Sequence, residues 1–253
     1  RLVSFVDFAP TMLSLTGIDI PDYMQGQAFL GKQAEQPRKY VYGTRDRMDP
    51  AIDMMRSVRT KKYKYIKNYR PEKPYVQFIP YRDQMDLMKE LFRCKVEGLL
   101  NETQELWFRK TKPEEELYDV INDPYEINNL ANNPEYQNKL KELRDKHKQW
   151  MQKVDDKGLI PELKLAKQMW PGLKQPQTAK PIISTEKLSA EKVLVTIKSS
   201  TKGASIGYKI EGDNDKWQIY DKPFEIHLDK GGKIKAKAIR IGHKESVYSS
   251  ICL

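Results

Sequence analysis

The chain has 253 residues, of which 45 are Lys or Arg and 35 are Asp or Glu, so its formal net charge is +10. Hydrophobic residues make up 39% and aromatic residues 10%, which argues against a chain that is disordered throughout. No apolar run approaches the roughly 18 residues of a membrane-spanning helix, and the two cysteines lack the spacing of a structural zinc site. The positive charge favours an acidic partner such as nucleic acid, anionic lipid or sulfated polysaccharide.

The first predicted elements are a strand in "RLVSFV" and a helix after it. Asp7 is a suitable helix cap, Pro10 fits the first turn, and Gly17 is a suitable end. The apolar side of this helix consists of Phe8, Met12, Leu13 and Leu15. Because nothing nearby covers that side, we expect the helix to close a larger α/β domain whose start lies upstream. A loop rich in Gly, Pro, Asp and Gln follows, up to residue 40.

Two strand segments come next, "YVYGTRD" and "MMRSVRTKKYKYIKNY", and the second contains a hairpin with its turn near Thr60–Lys61. The segment "GTRDRMD" joins the strands, so we expect a loop there. Tyr63 and Tyr65 alternate with lysines, which predicts a strand whose aromatic face belongs to the core.

Helical periodicity returns over residues 81–100. The stretch "EELYDVINDPYE" then predicts a strand and a turn at Asp123 and Pro124. The clearest helix has Asn133 as its cap and Pro134 as its first position, and Gly158 is a suitable end.

The Pro-punctuated residues 161–177 are predicted to be a linker, with a domain boundary near residue 177. The segments "KVLVTIKSS", "PFEIHL" and "KIKAKAIRIG" then alternate apolar and polar residues, which predicts an antiparallel, Ig-like β-sandwich over 178–253. Trp217, Tyr220 and Tyr208 within it either fill a small core or stack on sugar rings.

Two ordered stretches carry a family resemblance. "VSFVDFAPTMLSLTGIDIPDYMQGQAFL" resembles the end of the catalytic domain of type I, formylglycine-dependent sulfatases, and "EELYDVINDPYEINNLA" resembles the end of their C-terminal subdomain. The region between them resembles the heparan N-sulfatase-like branch. The resemblance implies an α+β chain, with the end of an α/β catalytic domain at residues 1–36 and a small subdomain of antiparallel sheet plus helix at 37–160.

The last segment resembles a different module. "YDKPFEI", "KIKAKAIRIG" and a final Ser-x-x-Tyr-Ser are similar to the small β-sandwich that follows glycoside hydrolases such as chitobiase. This resemblance implies that residues 178–253 are a separate module appended to the sulfatase part.

The chemistry that the sulfatase resemblance implies lies outside this chain. The family uses a Cys or Ser in a Cys-x-Pro-x-Arg context, which becomes formylglycine, together with a divalent cation, usually calcium. Neither Cys94 nor Cys252 has that context, and the family's cation ligands lie upstream of "VDFAPT". Sulfate-ester hydrolysis requires positioned positive charge and acid–base groups. We therefore predict no catalytic residue and no metal ligand here, and no sulfatase activity of this chain alone.

The resemblance also implies which residues help to form the substrate pocket, because loops of the C-terminal subdomain border it. On that basis Arg45, Asp46 and Arg47 are predicted to contact the sugar or its sulfate, since Arg grips planar anionic groups in bidentate fashion. The alternative is a surface salt-bridge cluster that only fixes the loop.

Three functions remain open at this point. The first is the C-terminal part of a sulfatase that acts on sulfated glycans such as glycosaminoglycans, with the N-terminal catalytic part of the same protein as its partner. The second is a non-enzymatic polyanion- or carbohydrate-binding protein, and the third is another hydrolase of the alkaline phosphatase superfamily. No nucleic-acid-binding signature and no membrane segment is present in the sequence. The family resemblance implies a periplasmic or secreted location.

Overall fold

The computed structural model describes residues 1–211, 216–228 and 232–253. The chain divides into two compact units, Arg1–Leu159 and Ile160–Leu253. The predicted linker, 161–177, lies in the second unit and contains a helix, Glu162–Met169. None of the helices in the described ranges has the length and apolar character needed to cross a membrane.

The first unit combines one antiparallel sheet with helices. Short 3-10 segments are found at Phe5–Asp7, Leu106–Phe108 and Pro134–Tyr136. In chain order, its helices and strands are α1 (Phe8–Thr16), β1 (Val41–Met48), β2 (Ala51–Arg59), β3 (Tyr63–Asn68), α2 (Pro80–Asp83), α3 (Asp86–Glu97), α4 (Glu102–Glu105), β4 (Glu115–Asp119) and α5 (Gln137–Lys153).

The sheet of the first unit has the order β1-β2-β3-β4, and α5 covers one of its faces. Val58 pairs with Tyr65 and Tyr65 pairs with Leu117, so three buried side chains align across adjacent strands. Leu140 and Leu143 of α5 belong to the same cluster because residues three apart share a helix face. The prediction that Tyr65 belongs to the core is confirmed.

The helix α1 has its polar side buried and its apolar side exposed. Asp7 Oδ1 accepts a hydrogen bond from the backbone N–H of Gln27 at 2.9 Å, and Ser14 Oγ accepts one from that of Gln33 at 2.9 Å. In contrast, Phe8 is 47% exposed and Met12 59% exposed. The loop that follows therefore packs on the polar side, and much of the apolar side remains exposed within this unit.

The second unit contains two antiparallel sheets among its described residues, ordered β11-β10-β7-β8 and β5-β6-β9. In chain order its elements are α6 (Glu162–Met169), the 3-10 segment Pro171–Leu173, β5 (Ile182–Lys187), β6 (Lys192–Lys198), β7 (Ser205–Glu211), β8 (Gln218–Ile219), β9 (Phe224–His227), β10 (Lys233–Ile239) and β11 (Ser249–Cys252). Val195 and Ile197 of β6 and Ile234 and Ala236 of β10 share one core cluster, so both sheets contribute to it.

The aromatic residues of the second unit divide between core and surface. Tyr208 and Tyr220 pack against the core cluster, and the Tyr208 ring stacks on Phe224 at a centroid distance of 4.4 Å. Trp217 is 39% exposed instead and stacks on Tyr248. Two of the three aromatics with open roles are therefore core residues, whereas the third is a surface residue.

Several element boundaries differ from the sequence-based predictions. Residues 1–4 form no strand; instead Ser4 N–H donates to Asp7 Oδ2 at 2.8 Å and starts the 3-10 turn. The helix α5 ends at Lys153 rather than near Gly158. Strands β5, β8 and β11 were not predicted, because their alternation is short or weak.

Candidate functional site

The β1–β2 hairpin carries the three residues predicted to contact substrate. Arg45, Asp46 and Arg47 all lie within β1, so the prediction of a loop over this segment is wrong. The turn comes later, at Asp49 and Pro50, where Asp49 adopts a φ of 49°. Strand pairing continues through the charged segment because the hairpin closes only after it.

A bulge in this hairpin changes the direction of the charged side chains. Arg45 pairs with Met55 but Arg47 pairs with Ile52, so β2 contains one more residue than β1 between these pairs. Such a bulge re-aims side chains and increases the local twist. It lies beside Asp53, which is 2% exposed.

Arg45 takes part in a buried ionic group. Its Nη1 lies 3.8 Å from Asp53 Oδ2, and Lys112 forms an ion pair with the same carboxylate oxygen. The side chains of Asp53 and Lys112 are fully buried, whereas that of Arg45 is 35% exposed. The positive charges of Arg45 and Lys112 thus share the single negative charge of Asp53. The three groups together carry a net positive charge, and the guanidinium of Arg45 is the part that contacts solvent. A partly exposed guanidinium with a shared countercharge is suited to bind an anionic group.

Asp46 takes part in a second ionic group. Arg56, which is 2% exposed, donates to Asp156 through Nε at 2.6 Å and Nη2 at 3.0 Å. Asp46 Oδ1 lies 2.9 Å from Arg56 Nη2. The hydrogen bonds from Arg56 lower the pKa of the Asp156 carboxyl. The bidentate Arg56–Asp156 pair connects β2 to the segment after α5. The half-exposed carboxylate of Asp46 forms a second ion pair with the same guanidinium.

Arg47 stabilises the hairpin turn. Its Nε donates to the backbone carbonyl of Asp49 at 3.0 Å. The three neighbouring residues therefore have separate partners: a buried carboxylate for Arg45, a buried guanidinium for Asp46 and a turn carbonyl for Arg47. Arg45 combines an ion pair to a buried carboxylate with a partly exposed guanidinium.

A buried carboxylate, Glu116, lies at the centre of a hydrogen-bond network on the sheet face opposite α5. Tyr75 and Tyr118 donate to its two oxygens at 2.7 and 2.6 Å, and Asn68 Nδ2 donates as well. Burial raises the pKa of both tyrosines, so they are neutral donors at physiological pH. Lys112 Nζ lies 5.8 Å from the Tyr75 ring centroid, which places this network next to the Arg45 group.

A cavity of about 380 Å³ adjoins the Glu116 network. Its lining includes Glu116 and Tyr118 as well as Trp107, Arg109 and Tyr125. Concave sites with aromatic walls and a few placed polar groups are typical of small-ligand binding. The arrangement provides charged, hydroxyl and aromatic groups for binding.

The groups that the resemblance implies for catalysis do not fit the residues of this chain. Cys94 lies on α3 and bonds to Glu90, and desolvation together with the Glu90 carboxylate raises the pKa of its thiol. Cys252 lies on β11 in the stretch "SICL", which is not a Cys-x-Pro-x-Arg context. Among residues 1–211, 216–228 and 232–253, no group of three or more His, Cys, Asp or Glu could hold a metal ion.

Sequence reasoning missed the buried charges that organise this site: Asp53, Arg56, Lys112 and Glu116. A signal was present, because Asp53 and Arg56 interrupt an otherwise apolar strand, "AIDMMRSV". Charged residues in such a strand are expected to be paired when they are buried.

Residues 1–102 match the family profile described as N-sulphoglucosamine sulphohydrolase, C-terminal. The chain is also 47% identical over 250 residues to an ulvan-active sulfatase of Formosa agariphila, a match that covers 97% of this chain and 41% of that protein.

Residues 1–102 therefore form the C-terminal domain of a sulfatase. The whole chain spans about two fifths of the length of the Formosa sulfatase. Human N-sulphoglucosamine sulphohydrolase is 26% identical over 168 residues, with 61% of this chain and 33% of that protein covered. A crystal structure from Bacteroides thetaiotaomicron, described as a candidate sulfatase, matches 60% of this chain and 25% of its own length at 23% identity and a TM-score of 0.39.

Proposed function

We propose that this sulfatase chain is the C-terminal part of an enzyme that hydrolyses sulfate esters or N-sulfates of sulfated glycans, such as glycosaminoglycans or ulvan. The observation that carries the proposal is the 47% identity to an ulvan-active sulfatase, which extends over 97% of the chain and hence through both units. In this proposal the preceding catalytic region contains the formylglycine nucleophile and the ligands that bind calcium. The chain alone is inactive.

The exposed side of α1 is the proposed contact with that catalytic region. Phe5, Phe8, Met12 and Leu15 recur at helical spacing and are between 47% and 86% exposed. An apolar helix side of this size is costly to leave in water. The polar side is already occupied by the chain's own loop, so a second packing surface must come from elsewhere. The greater length of the relatives supports a catalytic region as that partner.

The β1–β2 hairpin is the proposed substrate contact, with Arg45 as the principal anion-binding residue. Its guanidinium is positioned by Asp53 and remains partly exposed. In this proposal Asp46 and Arg47 also border the pocket, and their bonds to Arg56 and to the Asp49 carbonyl keep the strand in place. Preorganised positive charge of this kind binds a sulfate without a large ordering cost.

The second unit is proposed to be an Ig-like β-sandwich similar to the module that follows chitobiase-type glycoside hydrolases. The two antiparallel sheets with one common core support this assignment. A periplasmic or secreted location is proposed from the family resemblance.

The test uses the polypeptide that carries this chain together with its preceding catalytic region. Purified protein is incubated with O-sulfated and N-sulfated oligosaccharides and with a phosphonate monoester, and released sulfate or phosphonate is quantified. Sulfate release from a glycan supports the proposal. Turnover of the phosphonate alone would favour the other hydrolases of the superfamily, and binding without turnover would favour a polyanion-binding protein.

The role of Arg45 is tested in the same protein with Arg45→Ala. We expect KM for the sulfated oligosaccharide to rise at least tenfold. The matched control is Arg59→Ala, which removes an exposed arginine at the other end of the same hairpin. Equal KM values for the two variants would refute a substrate contact by Arg45.

A further inference from the structure

The second unit has a stacked pair of exposed aromatic rings. Trp217 is 39% exposed and Tyr248 is 55% exposed, although both are large aromatic side chains. Their ring centroids lie 5.8 Å apart with an interplanar angle of 22°. Each ring therefore holds the other in a fixed orientation while both remain accessible to solvent.

Strands β7 and β10 place this pair on the outer face of their sheet. In β10, Ile234, Ala236 and Ala238 are buried, so the alternating lysines face the other way. Lys237 pairs with Gly207 of β7, and a Cβ added to Gly207 would lie 3.5 Å from the Trp217 ring. The tryptophan thus lies over the backbone of a strand that has no side chain at this position.

Lysine amines surround the aromatic pair. Lys237 Nζ lies 4.6 Å from the Trp217 centroid and 5.9 Å from that of Tyr248, and Lys209 Nζ lies 5.8 Å from the Trp217 centroid. Lys237 also pairs with Glu245 at 2.7 Å, which fixes the position of its amine. Such cation–π contacts place positive charge at the border of a flat apolar surface.

We propose that this surface binds a sulfated polysaccharide. A sugar ring presents one apolar C–H face, which stacks on Trp217 and Tyr248, and its sulfate groups meet the lysines beside the rings. The choice of a sulfated ligand rests on the proposed function; the stacking surface itself does not. Because the rings are already held together, little side-chain entropy is lost on binding. The surface would keep the enzyme on a polymeric substrate.

The first experiment measures binding by the 253-residue chain. Affinity electrophoresis is run in gels that contain ulvan, chemically desulfated ulvan or no polysaccharide. We expect ulvan to retard the wild-type chain, and Trp217→Ala to raise the apparent Kd at least fivefold. Ile241→Ala is the matched control, since it removes a fully exposed apolar side chain from the same unit. Lys237→Gln, which leaves both rings in place, should also weaken binding to ulvan.

The outcomes separate this inference from the proposed function. Thermal melting identifies any variant that fails to fold. If Trp217→Ala fails to fold, the affinity of Lys237→Gln for ulvan decides whether the surface binds the polysaccharide. Wild-type affinity in Trp217→Ala and Lys237→Gln, or equal retardation by desulfated ulvan, would overturn the inference. In the polypeptide that includes the catalytic region, Trp217→Ala should slow sulfate release from the polymer but leave release from a sulfated disaccharide unchanged. A wild-type enzyme without sulfate release would refute the proposed function and leave the binding result standing.

Discussion

Replacing His147 by glutamine should reduce the acid sensitivity of the first unit. His147 lies on α5 and is 2% exposed; its Nε2 lies 3.4 Å from the Tyr69 hydroxyl, and its ring packs edge-on against Tyr65. Burial, assisted by the positive charge of Arg56, lowers the pKa of this imidazole from 6.5 to about 4. The folded protein therefore holds His147 neutral over a pH range in which the unfolded chain binds a proton.

The direction and size of the effect follow from these two pKa values. Above pH 6.5 the imidazole is neutral in both the folded and the unfolded chain, and the free energy of unfolding has its full value. As the pH falls from 6.5 toward about 4, the unfolded chain binds a proton that the folded chain does not, and the free energy of unfolding decreases. A tenfold difference in proton affinity corresponds to about 1.4 kcal/mol, so the largest possible loss is about 3 kcal/mol. Between pH 7 and about pH 5, proton linkage predicts a loss of about 2 kcal/mol in the free energy of unfolding.

The assay is urea unfolding at these two pH values, followed by hydrogen exchange of peptides from α5. We expect His147→Gln to lose about 2 kcal/mol less than the wild type on acidification, whatever its stability at pH 7. His227→Gln, which replaces an exposed histidine of the second unit, is the matched control and should behave like the wild type. The same pH dependence in His147→Gln and the wild type would refute the reasoning.

Three further predictions concern other features of the first unit. Leu143→Ala empties a fully buried position and should lower the free energy of unfolding by about 2–5 kcal/mol in urea titrations. Lys112→Met leaves the buried Asp53 carboxylate without its nearest partner and should lower the free energy of unfolding by about 3–5 kcal/mol. Adding Asp53→Asn to this variant should recover part of the loss. If the double variant recovers nothing, the loss is not caused by the unpaired charge. Gly31 and Gly17 both have a positive φ, 83° and 76°, but a Cβ at Gly31 would lie 2.7 Å from the backbone of α1, whereas a Cβ at Gly17 would meet open space. Gly31→Ala should therefore lower the melting temperature more than Gly17→Ala. Equal decreases would show that only the positive φ matters.

Local signals in the sequence predicted much of the first unit. Gly17 ends α1 in a left-handed conformation with a φ of 76°, as expected for a helix C-terminus. The hairpin turn near Thr60–Lys61 is confirmed by strands β2 and β3 on either side of it. The segment "RLVSFV" was predicted incorrectly, because apolar residues favour a strand only where a partner strand exists.

The sequence by itself determined the family, the positions of the main helices and strands, and the charge of the chain, because these depend on motifs and periodicity over a few residues. Only the tertiary structure decided which charges meet. Arg56 and Asp156 lie 100 residues apart in sequence, and Lys112 and Asp53 lie 59 apart, yet both pairs are in hydrogen-bond contact. The exposed apolar side of α1 was likewise decided by the loop that packs on its polar side. Burial of a charge depends on which distant segments enclose it, and no local pattern contains that information.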